Sequence, residues 1–281
     1  MNPSRLIPLF VLLLIVPHMV HAADIIVMIS GGFKSTYEAL APGFEKMTST
    51  HLVLVPGPSE GSTMQAIPNR LARGEAADVL IMVGPALDKL VRQGDALGSS
   101  EVELALSPIG MCVRSGTPVP DISTVDKFRQ VLLNARSIAY SDSSSGVYIA
   151  STLFKKLGIQ SQVRGKAHQV PGTPVAEIVA QGKAEIGFQE VAEILPVQGA
   201  TFVGRIPDQV QYLTRFSAAV DSRSKNQVLA KQLIEYLASP SALPVLEKMG
   251  LEPPGKWRKL SAICSAPGWC PSQENRRVHH A

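Results

Sequence analysis

Residues 25–36 read Ile25-Ile26-Val27-Met28-Ile29-Ser30-Gly31-Gly32-Phe33-Lys34-Ser35-Thr36. A short apolar run with β-branched residues reads as a buried strand, and a helix-like pattern begins near Phe33. Two glycines and a serine therefore stand where a strand hands over to a helix. Such a junction presents unpaired backbone N–H groups above the sheet, which suits an anion, although Gly-Gly also serves as a plain tight turn.

Working outward, the same alternation repeats. Lys34–Met47 is predicted as a helix, Leu52–Val55 as a strand, Ser62–Ala72 as a helix, Val79–Val83 as a strand and Ala86–Arg92 as a short helix ended by Gly94. A βαβαβ order of this kind implies a parallel sheet covered by helices. The pattern restarts after an apolar strand at Ile109–Arg114, with Asp121 as the expected N-cap of a helix to Asn134. Strands follow at Ser137–Tyr140, Glu185–Phe188 and Thr201–Gly204, with helices at Gly146–Leu157 and Val175–Gln181. An extended segment at Gln211–Val220 precedes closing helices at Asn226–Ala238 and Ala242–Met249. The expected class is α/β with two lobes, residues 23–105 plus 207–256 in one and 106–206 in the other. Two crossings between them would leave a cleft.

The ends differ in texture from this body. Arg5, the apolar run Leu6–Val16 and the small residues around Val20-His21-Ala22 form a secretory signal peptide, residues 1–22, and imply delivery to the periplasm. From 257 to 281 the periodic pattern is absent, and this stretch is expected to be a poorly ordered extension. Cys264 and Cys270 lie there and leave open whether they pair; Cys112 sits in an apolar strand as a small buried hydrophobe. The net charge of +4 belongs to the ends, because residues 23–256 balance to zero. Charge thus gives no argument for nucleic-acid or membrane binding by the folded part.

Three helix starts share one design: Ser30-Gly31-Gly32-Phe33, then Gly61-Ser62-Thr63, then Asp142-Ser143-Ser144-Ser145-Gly146. Each offers small hydroxyls and free N–H groups at the positive end of a helix dipole. Serine and threonine are ordinary N-caps, so each alone carries little. Together, on both expected lobes, they could hold carboxylate or oxyanion oxygens without metal or cofactor. Arg70 and Arg73, three apart at a helix end, could add a bidentate contact; Arg70, after Pro68-Asn69, is the preferred ligand candidate.

These segments resemble the periplasmic molybdate-binding proteins, type II solute-binding proteins of transport systems. The matching stretches are the strand into Ser30-Gly31-Gly32, Ser62-Thr63 ahead of Arg73-Gly74-Glu75-Ala76-Ala77-Asp78-Val79, Gly146-Val147-Tyr148 leading to Lys155-Lys156-Leu157-Gly158, and Ala184-Glu185-Ile186-Gly187-Phe188. The resemblance spans roughly residues 24–251. It implies a type II binding-protein fold, a ligand cleft between lobes and an inner-membrane transporter as partner. Two positions depart from it. Gly32 stands where the family supplies a serine hydroxyl, and Gln189-Glu190 where it supplies a tyrosine hydroxyl. A carboxylate there would repel a dianion unless protonated or turned away, and glycine enlarges the site. Both changes suit a larger, carbon-based ligand. Aconitate isomerase, similar to the same fold, moves a proton between two carbons of a tricarboxylate, which needs a base near carbon. Glu190, Lys34 and His168 are the candidates.

The expected function is capture of a small anion, an organic polycarboxylate or an oxyanion, by a secreted monomer. Ser30, Gly31, Gly32, Phe33, Ser62, Thr63, Arg70, Ser143, Ser144, Ser145 and Gln189 are the expected binding residues. The alternative is an isomerase interconverting cis- and trans-aconitate, with Glu190 or Lys34 moving the proton. No phosphate-binding loop, nucleophile elbow or Cys-x-x-Cys motif points to another chemistry, and no metal or nucleic acid is expected.

Overall fold

The computed structural model describes residues 24–255; the expected signal peptide, Cys264, Cys270 and the expected C-terminal extension lie outside the described residues. The first half opens β1 (Asp24–Ile29), α1 (Gly31–Thr48), β2 (His51–Pro56), α2 (Ile67–Ala72), β3 (Val79–Val83), α3 (Gly84–Gln93). A long strand β4 (Val102–Arg114) leads to α4 (Val125–Asn134), β5 (Ile138–Ser141) and α5 (Ser144–Tyr148). The chain stays helical through a π-helical stretch, Ile149–Leu153, into α6 (Phe154–Lys156). Then come α7 (Gln160–Val163), β6 (Ala167–Val170), α8 (Val175–Ala180), β7 (Ile186–Glu190), α9 (Val191–Ile194) and β8 (Ala200–Arg205). The described residues close with β9 (Leu213–Val220), α10 (Gln227–Leu237) and α11 (Leu243–Lys248).

The strands lie in the order β2-β1-β3-β9-β4-β7-β5-β6, with β8 on the other side of β4. β1, β2 and β3 are parallel, as the βαβαβ pattern implies, and β9 returns antiparallel beside β3. β4 is the pivot. Val102 to Pro108 pairs with β9, whereas Ile109 onward pairs with β7 and β8. One strand therefore belongs to two sheets, each the spine of one lobe, and changes allegiance at Pro108–Ile109. The Gln211 amide clamps this point. Its Oε1 accepts from the Ile109 N–H at 2.9 Å, and its Nε2 donates to the Ile109 and Ile206 carbonyls at 3.0 and 3.2 Å.

Strand alternation divides the cores. Ile25, Val27 and Ile29 of β1 and Val79, Ile81 and Val83 of β3 face Phe33, Tyr37 and Phe44 of α1 and Leu233, Ile234 and Leu237 of α10. Met28, Leu80 and Met82 point the other way, onto Ile67 and Leu71 of α2 and Leu87 and Leu90 of α3. In the second lobe Phe128 and Phe188 meet edge to face at 5.8 Å beside Ile149 and Leu153. Cys112 packs with Val175 and Val179 on the opposite face, and burial pushes its thiol up to about 12. It is the buried hydrophobe expected. Asp78 ties the ends of the first lobe together. Its carboxylate accepts from the Ile26 N–H at 2.9 Å, the Ser224 hydroxyl at 2.6 Å and the Asn226 amide at 3.3 Å.

Candidate functional site

The strand-to-helix junction of the opening sequence is tighter than its pattern suggests. The helix begins at Gly31, not near Lys34, so both glycines lie in its first turn, where N–H groups have no intrahelical partner. Ser30 is the extended N-cap (φ −89°, ψ 158°), yet its side chain caps nothing; the hydroxyl is buried without a partner. Phe33 is fully buried in the core, so only its backbone could touch a ligand.

What fills the space above the two glycines comes from the other lobe. A Cβ at Gly32 would collide with Glu190 Oε2 and stand 2.5 Å from Cζ of Phe216; a Cβ at Gly31 would collide with Glu193 Oε1. The departure at Gly32 and the departure at Glu190 are thus two sides of one contact: serine is missing because a carboxyl occupies its place. β7 runs on to Glu190, past the Phe188 at which the sequence pattern ends it. The strand's alternation turns Gln189 away, where its Oε1 accepts from the Ala176 N–H at 3.3 Å.

Glu190 is buried, and burial, together with the neighbouring Glu193 charge, pushes its carboxyl well above the usual range. The hydroxyls of Thr214 on β9 and Ser107 on β4 oppose that shift, although neither makes a hydrogen bond of regular geometry. Glu193 is pushed up to about 7, first by desolvation and also by Asp142, while the Gln189 side chain pulls it down. Such a site favours neutral carboxyls, which is how a protein keeps an acid ready to give a proton near pH 7.

The third junction is the best-built hydroxyl cluster. Ser141, Ser143 and Ser145 form a triangle, with oxygens 2.7, 3.2 and 3.1 Å apart. Ser144 opens α5, Ser145 is fully buried, and Asp142 beside them faces Glu193 electrostatically. Gly146 is required by close approach: a Cβ there would overlap the Ser141 carbonyl oxygen.

The second junction is a correction. Ser62 and Thr63 do not open a helix: α2 starts only at Ile67, and both residues lie in an exposed loop held by the Asn69 amide, which donates to the carbonyls of Gly61 at 3.1 Å and Thr63 at 2.8 Å. A helix from Ser62 would put Pro68 in its interior, where it has no N–H to give to the Met64 carbonyl, whereas near the start of α2 that N–H has no intrahelical partner to lose; side chains that stabilise the loop locally add to this. Arg70 is engaged in the same local web, with Nη1 2.6 Å from Glu75, Nε donating to the Gln65 carbonyl at 3.2 Å, and Nη2 on the Gln65 side chain. Lys34 is half-exposed and paired with Glu38 at 2.6 Å on the outside of α1. His168, the third candidate base, lies on strand β6 and is exposed. The residues missed by the sequence reading are Glu193 and Tyr212. Tyr212 stacks on Tyr148 at 5.0 Å, and desolvation, then the charges of Glu190 and Glu60, raise its phenol. Glu193 sits one helical turn from Glu190, a spacing that could have been noticed.

The family model described as bacterial extracellular solute-binding protein matches residues 25–252. Aconitate isomerase from Pseudomonas sp is 47% identical over 227 residues, covering 81% of this chain and 87% of that protein. Among solved structures, the Azotobacter vinelandii periplasmic molybdate-binding protein superposes with a TM-score of 0.67 at 20% identity, over 82% of this chain and 99% of that one. The sulfate-binding protein SubI from Mycobacterium tuberculosis H37Rv gives 0.66 at 15% identity, over 86% and 91%. These two likenesses establish the type II periplasmic-binding-protein fold, and the family match the membership: the chain belongs to the bacterial extracellular solute-binding proteins.

Proposed function

We propose that this chain is an isomerase of a small polycarboxylate, interconverting cis- and trans-aconitate by moving a proton between two carbons. The observation that carries the reading is the buried Glu190 carboxyl seated against Gly32 in the first turn of α1. A proton shift needs a carboxyl that can hold and release a proton near carbon, whereas a protein that only captures a dianion uses such a group merely as a hydrogen-bond donor while it is protonated. The aconitate isomerase relative, 47% identical, supports the same substrate class. In the reaction, a C–H proton leaves the methylene carbon, the double bond moves by one position, and a proton returns to the former vinylic carbon. The α1 N-terminus with Ser30, and the Ser143–Ser145 junction, hold substrate carboxylates; Glu190 handles the proton. Delivery to the periplasm through the leader ending at Ala22, and action as a monomer, belong to the same proposal.

A second reading has its own support. Family membership, and the hydroxyl triangle at Ser141, Ser143 and Ser145, suit a protein that captures an anion and passes it to an inner-membrane transporter. One experiment separates the two: incubate the purified mature protein with trans-aconitate in deuterated water, and follow cis-aconitate and deuterium uptake by NMR. Turnover that disappears in Glu190→Gln establishes the isomerase. No turnover, with a carboxylate or oxyanion raising the melting temperature, establishes the binder instead.

A further inference from the structure

We propose that Glu190 and Glu193 act as a pair, one carboxyl taking the substrate proton while the other delivers one, across the Gly31-Gly32 turn. This rests on the isomerase reading above and adds a residue that nothing in the sequence pattern singled out. Glu190 is the N-cap of α9 and Glu193 lies in its first turn, so their side chains leave the same end of the same helix. They converge on consecutive residues of α1: Glu190 Oε2 takes the place of a Gly32 Cβ, and Glu193 Oε1 that of a Gly31 Cβ. Consecutive Cα atoms are about 3.8 Å apart, which places the two carboxyls over neighbouring points of one turn. Two glycines in succession are what admits both.

The surroundings favour one shared proton. Glu190 faces Ser107 from β4, Thr214 from β9 and the Tyr212 phenol; Glu193 faces the Gln189 amide and Asp142. Among the described residues, neither carboxyl joins an ion pair with a cation. α1 carries no acidic side chain in its first turn, and the Ser30 hydroxyl there is buried without a partner. Glu190 is buried and Glu193 half-buried, and the Glu193 charge raises Glu190, so the two do not both ionise readily; the pair titrates as a unit and its singly protonated form has one base and one acid.

The step balances within the pair. The ionised carboxyl forms an O–H bond as the methylene C–H bond breaks, and that electron pair becomes the new C=C bond. The old double bond's electrons form a C–H bond to the former vinylic carbon, using the proton of the protonated carboxyl, which is left ionised. Proton exchange between the adjacent carboxyls restores the starting arrangement. No oxidant, reductant or co-reactant enters.

The test is the pH dependence of kcat for trans-aconitate with the mature wild-type chain, Glu193→Gln and Glu193→Asp. Wild type should show a bell-shaped profile. Glu193→Gln should lose about 100-fold or more in kcat with KM little changed, and should lose one limb of the bell. Glu193→Asp should keep both limbs at reduced kcat; it also serves if the glutamine variant does not fold. A Glu193→Gln enzyme with the wild-type profile and kcat within about threefold, or a Glu193→Asp enzyme that loses a limb of the bell, would overturn the pair while leaving the isomerase reading intact. A wild-type protein without turnover would overturn that reading itself.

Discussion

Replacing Gly32 by alanine tests whether the glycine is there for the carboxyl. The new Cβ would stand 2.5 and 2.9 Å from Cζ and Cε2 of Phe216 and overlap Glu190 Oε2. Carbon atoms pack at about 3.5–4.0 Å, so the deficit is about 1 Å against a ring that is itself buried in the core. Overpacking of this kind costs about 1–3 kcal/mol. Alanine returns up to about 1 kcal/mol of helix propensity. The net expectation is a loss of about 1–2 kcal/mol, which lowers the unfolding midpoint of a chain this size by roughly 2–8 °C. Gly31→Ala is the matched control. Its Cβ meets only the end of the half-buried Glu193 side chain, which has several rotatable bonds to yield with, so its stability should stay within about 0.5 kcal/mol of wild type. Differential scanning calorimetry of both variants reads the contrast. If Gly32→Ala is as stable as wild type, close approach is not why that glycine is present; if Gly31→Ala falls as far, the contrast drawn between the buried Phe216 ring and the Glu193 side chain is refuted.

Three further outcomes follow from the same geometry. Glu190 and Glu193 both titrate above the ordinary 4.5, so the stability they contribute is full below that pH and is lost as pH rises, through about 7 for Glu193 and beyond the ordinary range for Glu190. Urea midpoints at pH 5 and 8 should therefore show the Glu190→Gln/Glu193→Gln double variant gaining on wild type at pH 8; an equal difference at both pH values would refute the assignment. Asp78→Ala should cost about 3 kcal/mol, because it orphans a half-buried N–H, a buried hydroxyl and a half-buried amide at once, and a loss under about 1 kcal/mol in denaturant titration would contradict that. Gly146→Ala should abolish soluble folded protein, since a backbone carbonyl cannot step aside, whereas Ser145→Ala should fold with a loss of about 1 kcal/mol; normal yield and circular dichroism for the glycine variant would be the contrary result.

The alternation of apolar runs and amphipathic stretches made the parallel half-sheets readable, because strands such as Val79–Val83 are buried on both faces and carry little else. The length of β4 was not readable: Val102–Pro108 mixes Glu103, Ser107 and Pro108 into its run and gets its strand character from pairing with β9, over 100 residues away. β6 was missed for a similar reason, since an edge strand of Ala167-His168-Gln169-Val170 has no apolar face to announce it. At the site, the glycines and the Ser143–Ser145 junction were visible as local chemistry. That Ser62 would fail to start a helix depended on hydrogen bonds from Asn69, and that Arg70 would turn to Glu75 depended on a loop geometry no spacing encodes. The spacing of Glu193 from Glu190 was visible, but its meeting with Gly31 depends on α9 packing against α1, which no local pattern encodes.

β4 and β9 also set an order of assembly. The second lobe's strands are consecutive, from Ile109 to Arg205, and its sheet can close as soon as that stretch has emerged. The first lobe cannot finish then, because Val79 must wait for Val220 as its partner. Closing so long an intervening loop is slow while it is floppy and easier once it has folded into a compact body. The inserted lobe thus acts as the template that brings β9 home, and the N-terminal strands remain without their antiparallel partner until the last quarter of the chain is available. Pulse-labelled hydrogen exchange should accordingly protect β5 and β7 before β3 and β9; the reverse order would mean that the first lobe nucleates on its own.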